Sequence, residues 1–156
     1  MEVLKLIHDI NGGEKYLQNL MFYVGDGRDT QLKGYGVNPY NPRDAFRQMK
    51  TVTDYYGKSG YNPLFHWVIS YDKAVKDKAT AAIMTGKIVS ELAKDYQMIT
   101  CVHPNENSQG FHAHVAMNSV NLNTGKLYHS DKINVNMVRK RVEDVTGNKC
   151  YFVFGG

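Results

Sequence analysis

Cysteine is scarce in this chain: Cys101 and Cys150 are the two in 156 residues. Two are too few for a disulfide framework and neither has a C-x-x-C partner, so a reducing cytoplasm is the natural compartment. Cys101 lies inside an apolar run, and a structural role is expected of both. Proline is thin as well, at four residues, and no Pro-rich or Ser-rich linker divides the chain. There is no internal repeat. No apolar run approaches the roughly eighteen residues that a membrane span needs. The opening residues, M-E-V-L-K-L-I-H-D-I, carry an early acid and charged interruptions, which does not fit a signal peptide.

What remains is the composition of an ordinary globular domain, 42% hydrophobic and 22% charged, long enough to bury a core. A single domain over 1–156 is expected. The net charge of +4, with a pI near 9.0, permits an anionic partner without demanding one. The eleven tyrosines and six phenylalanines say more. Several tyrosines fall in Gly- and Asn-rich loops, and exposed rings among basic residues suit single-stranded nucleic acid, whose bases stack on them. For any one tyrosine, half-buried packing is the simpler explanation.

The most informative stretch is 102–120, V-H-P-N-E-N-S-Q-G-F-H-A-H-V-A-M-N-S-V, which holds three of the six histidines. From Phe111 to Asn118 apolar residues alternate with small or polar ones, the period of a half-buried strand. His112, His114, Ala116 and Asn118 then share one face. His103 closes an apolar run, Met98 to Val102, that reads as the neighbouring strand. Pro104 to Gly110 is turn chemistry, so a hairpin brings His103 alongside the H-x-H pair. An H-x-H on a strand is often only a surface pair. A third histidine at the end of the preceding strand makes a catalytic metal site, with coordination positions left open, the stronger reading.

The remaining pattern gives the frame. Glu2 to Ile10 reads as a strand, and about Glu14 to Val24 as a helix carrying Tyr16 and Tyr23 beside its apolar stripe. Asp26 to Pro42 reads as a long loop with Arg28, Lys33, Tyr35 and Tyr40. A helix capped by Asn41 runs from Pro42 to about Tyr56, and Leu64 to Tyr71 is a strand bearing His66. Lys73 to about Tyr96 is expected to be the longest helix, opened by Asp72. After the two histidine strands come a short return strand at Lys126 to His129, a helix from Asn134 to Thr146 and a last strand, Lys149 to Phe154. Crossovers mixed with hairpins predict an α+β fold, a largely antiparallel sheet of about five strands with flanking helices. His66 is expected to face the site or the sheet, and His129 to be exposed.

A His-only divalent site polarises a phosphodiester oxygen or activates a water. Tyr16 and Tyr23 are the alternatives to water; a phenol, with a pKa near 10, attacks only with help from a metal-bound phosphate and a nearby base. Tyrosine attack conserves the bond energy as a phosphotyrosine ester for later rejoining. These residues resemble the relaxase/mobilization nuclease family of plasmids and integrative elements, within the HUH endonucleases. The resemblance rests on His112-Ala113-His114 in the stretch Val102 to Lys126, on H-W-V-I-S-Y at His66 to Tyr71, and on L-Q-N-L-M-F-Y-V-G-D-G-R-D-T at Leu17 to Thr30.

The resemblance implies a metal-dependent DNA strand transferase that nicks one strand at a transfer origin and stays joined to the 5′ phosphate through tyrosine. It implies His103, His112 and His114 as metal ligands, with Mg²⁺ or Mn²⁺ as the usual ion and Zn²⁺ or Ni²⁺ as alternatives that suit imidazole. Tyr23 matches the family's nucleophile; Tyr16 is second and His8 third. The family often has an acid two residues after the first histidine. Here that position is Asn105, and Glu106 follows as the candidate to orient an imidazole. Arg28, Lys33, Tyr35 and Tyr40 are the candidate DNA contacts. Single-stranded DNA at the origin is the expected partner, with accessory mobilization proteins and no membrane. Relaxases usually carry a further region after this domain, so the chain reads as a trimmed domain or a minimal protein. The competing readings are a rolling-circle replication initiator of the same superfamily, a water-using metal phosphodiesterase, and a non-catalytic single-strand-binding module.

Overall fold

The computed structural model describes residues 1–7, 31–106 and 109–155. Within them a six-stranded sheet runs in the order β2-β4-β5-β3-β1-β6. The strands are β1 (Glu2–Ile7), β2 (Lys33–Tyr35), β3 (Leu64–Ser70), β4 (Met98–Pro104), β5 (Phe111–Asn118) and β6 (Cys150–Gly155). All neighbours are antiparallel except β1 and β6, which pair in parallel. The expected α+β architecture is therefore present, with one strand more than expected. That strand is β2, in the segment read as pure loop. Three residues are too short to show a period, and β2 is held on the edge by pairing with Thr100, Ile99 and Met98.

Among the described residues, two helices cover one face of the sheet and one covers the other. The α2 (Lys78–Val89) and α3 (Lys132–Thr146) helices close over Leu4, Phe65, Trp67, Ile69, Val115 and Met117. On the opposite face α1 (Pro42–Tyr55) packs Ala45, Phe46 and Met49 onto Leu64, Ile99 and Ala116. Asn41 caps α1 as expected, its Oδ1 accepting from the amides of Arg43 and Asp44. Gly147 ends α3 at φ 74°, a left-handed conformation that glycine adopts without strain.

The continuous helix expected over Lys73 to Tyr96 is broken at both ends. Asp72 Oδ1 accepts from the Ala74 amide, which makes a local turn, and Asp77 takes over as cap by accepting from Thr80. At the far end the Lys87 carbonyl is bonded by Ser90 Oγ and by the Arg141 guanidinium. Leu92–Lys94 continues only as one 3-10 turn. The expected return strand at Lys126 to His129 is reduced to one bridge, Val120 to Leu127.

The α1 helix is tied to the histidine strands by a polar cluster. Asn118 is fully buried; its amide donates to the Met49 carbonyl and to Gln97 Oε1, and its Oδ1 accepts from the Val120 amide. These bonds fix the end of β5 against α1 and against the start of β4. Buried polar groups satisfied in this way hold one register and penalise others. His112 and His114 lie toward the other end of the same strand.

Candidate metal centre

The three histidines meet because of strand register. His103 on β4 stands directly opposite His112 on β5, and Cys101 stands opposite His114. Two residues apart on β5, His112 and His114 project from one face. Their ring centroids lie 5.0 Å apart, with His103 5.7 Å from His112 and 5.1 Å from His114. One ligating atom from each falls within 4.8 Å of the other two. Among the described residues this is the trio whose spacing suits a metal ion, and it is the trio expected. It lies on the face that α1 covers further along, with Cys101 Sγ 3.7 Å from His103 Nε2 at the boundary.

Two neighbours orient the rings. Asn105 Oδ1 lies 2.7 Å from His112 Nδ1, and the other end of the same amide, Nδ2, donates to the Gln109 carbonyl. The amide is thereby held with its oxygen toward the imidazole. An amide oxygen only accepts, so His112 Nδ1 carries the hydrogen and Nε2 keeps its lone pair. The orienting bond expected of Glu106 is thus made by Asn105. Glu106 is exposed and bears on His112 by charge, favouring its protonated form. The other neighbour is His66, whose Nε2 is 2.9 Å from His114 Nδ1. The sequence left His66 facing either the site or the sheet and did not reveal this bond, which depends on the register of β3 against β5.

Burial sets the charge state. Desolvation, aided by His66, His112 and His103, pushes His114 down to about 3, and desolvation with Lys5 nearby pushes His66 down to about 4. His112 is lowered by burial and by His103. These imidazoles are neutral near pH 7, the form that binds metals, so no proton need be expelled from them before coordination.

A pH dependence of stability follows. Unfolded histidine titrates near 6.5, above the folded values for His66 and His114, so the unfolded chain binds more protons as pH falls below that value. Their stabilising contribution is complete above pH 6.5 and is lost as pH falls through about 4 for His66 and about 3 for His114. The slope reaches at most about 1.4 kcal/mol per pH unit for each imidazole. Urea unfolding midpoints should drop clearly between pH 7 and pH 5 in metal-free buffer. An unchanged midpoint would contradict neutral burial.

The remaining expected residues are dispersed. Lys33 and Tyr35 share the side of the sheet that carries Thr100 and Met98, opposite the histidines. Tyr35 packs against the larger core with its hydroxyl buried, and the Lys33 ammonium lies 5.0 Å over its ring. Tyr40 is 76% exposed, just ahead of α1. His129 is exposed, as expected. Tyr16, Tyr23, Arg28 and His8 lie outside the described residues. No described helix is long and apolar enough to cross a membrane.

Comparison with known proteins gives one positive finding. A family model described as relaxase, MobA/VirD2-like, nuclease domain, matches residues 16–148, a span that takes in Tyr16, Tyr23 and all three clustered histidines. No curated protein and no solved structure matches the chain.

Proposed function

The chain belongs to the relaxase family with MobA/VirD2-like nuclease domains, and from that membership we propose that it is a metal-dependent transesterase. It cuts one DNA strand at a transfer origin and retains the 5′ end as a phosphotyrosine. The observation that carries the reading is the gathering of His103, His112 and His114 within 4.8 Å on one sheet face. His112 and His114, neutral near pH 7 and with their Nδ1 atoms engaged by Asn105 and His66, suit a divalent cation. Once bound, the ion supplies positive charge against a phosphodiester oxygen.

The protein's own groups perform the rest. The three rings would hold the cation, and three protein ligands are the number a catalytic rather than a structural site uses. The Tyr23 hydroxyl, with Tyr16 as second candidate, forms the new O–P bond. The bond from phosphorus to the 3′ oxygen breaks, the phenolic proton departs, and the 3′ oxygen leaves as a hydroxyl. Rejoining reverses these steps, because the ester conserves the energy that hydrolysis would dissipate. Arg28 and the exposed Tyr40 are the proposed DNA contacts. Lys33 and Tyr35, on the other side of the sheet, would meet only a strand that passes around the β2 edge.

Oligonucleotides tiling the transfer origin of its replicon, incubated with Mn²⁺ and resolved on a denaturing gel, test the proposal. A 3′-labelled strand should migrate with the protein, a 5′-labelled strand should yield a short free product, and a chelator should abolish both. Cleavage without protein-linked DNA would indicate a water-using phosphodiesterase. Binding without cleavage, indifferent to chelator, would indicate a binding module.

A further inference from the structure

The hydrogen bond between His66 and His114 joins two groups that can each give or take a hydrogen. Its direction decides which nitrogen of His114 is available. If His66 Nε2 were the donor, His114 would carry its own hydrogen on Nε2 and have no lone pair there for a cation. If His114 Nδ1 is the donor, Nε2 keeps its lone pair and His66 accepts. His112 faces no such choice, since Asn105 Oδ1 can only accept.

We propose that His66 is a positioning residue that accepts the Nδ1 hydrogen of His114 and so presents Nε2 of that ring to the divalent cation. The inference rests on the metal reading given above. Three observations carry it. The nitrogens are 2.9 Å apart with both residues buried. Both rings ride on central strands, where pairing of Val68 with His114 and of His66 with Ala116 makes them diagonal neighbours on one face. Their centroids are 5.1 Å apart with planes tilted by 32°. Stability alone gives little reason for this residue: an imidazole buried between strands near the Lys5 cation could be replaced by a well-packed apolar side chain.

Two substitutions separate positioning from packing. His66→Gln keeps an acceptor near the place of Nε2, whereas His66→Leu fills the space and offers none. Titration calorimetry with Mn²⁺ and with Zn²⁺ alone should show His66→Leu weakened about 10- to 100-fold, with His66→Gln close to wild type. Long-range ¹H–¹⁵N spectra of the metal-free wild type should show His114 as the Nδ1–H tautomer, and His66→Leu should lose that preference. The proposal is overturned if a folded His66→Leu binds as tightly as wild type, if His66→Gln does no better than His66→Leu, or if the wild-type spectrum shows the Nε2–H form. Should the wild type take up neither cation, the metal reading itself fails, and the tautomer spectrum then decides the role of His66 alone. Should His66→Leu fail to fold, His66→Gln and the wild-type spectrum still decide between the two directions of the bond.

Discussion

Replacing His114 with alanine is expected to lower metal-dependent strand cleavage by about 10²- to 10³-fold, the loss typical when one fixed electrostatic stabiliser is removed. His114 neighbours both other candidate ligands and is braced by His66. Because it is buried, the substitution also leaves a cavity, and a fall in thermal midpoint should accompany the loss. His103→Ala provides the control, since His103 is only half buried and its loss should disturb packing less while impairing cleavage comparably. Single-stranded DNA binding without metal should survive in both variants. Chelator-sensitive cleavage at the wild-type rate in a folded His114→Ala protein would remove this histidine from the site.

Substituting Tyr23 by phenylalanine should eliminate the covalent protein–DNA adduct, a reduction on the order of 10³-fold or more for loss of a nucleophile. Phenylalanine keeps the ring and removes only the hydroxyl, so packing is not the variable. Tyr16→Phe should leave adduct formation intact. The reverse result would transfer the role to Tyr16, and an adduct surviving both changes would point to neither phenol. Metal affinity is the useful companion measurement: it should be unaltered by Tyr23→Phe and strongly reduced by His114→Ala.

The candidate metal ligands were readable in the sequence because strand geometry is strictly periodic. An H-x-H inside alternating residues must put both rings on one face, and a hairpin of turn residues must return His103 beside them. The Asn41-Pro42 start of α1 was readable because capping chemistry is local. Wherever the outcome depended on distant partners, reading failed. Arg141, far along the chain, bonds the Lys87 carbonyl where α2 ends, and no apolar pattern over Lys73 to Tyr96 could show that. The parallel pairing of β1 with β6 joins strands almost a whole chain apart. Asn105 looked like a departure from a family that often has an acid there. Its amide nevertheless supplies an oxygen to His112, because orienting an imidazole needs an acceptor and not a charge. His66 was legible as a strand residue facing the site or the sheet, but not as the partner of His114, because that bond depends on how β3 registers against β5.

The absence of a carboxylate from the trio has a thermodynamic corollary. Imidazole ligands cancel none of the charge of a dication, so on the proposed reading a phosphate of the nucleic acid supplies balancing charge at the ion. Affinities for ion and strand are then linked: each must strengthen the other by an identical factor. Titrated alone, the ion should be held loosely, and saturation should shift to lower concentration once the oligonucleotide is present.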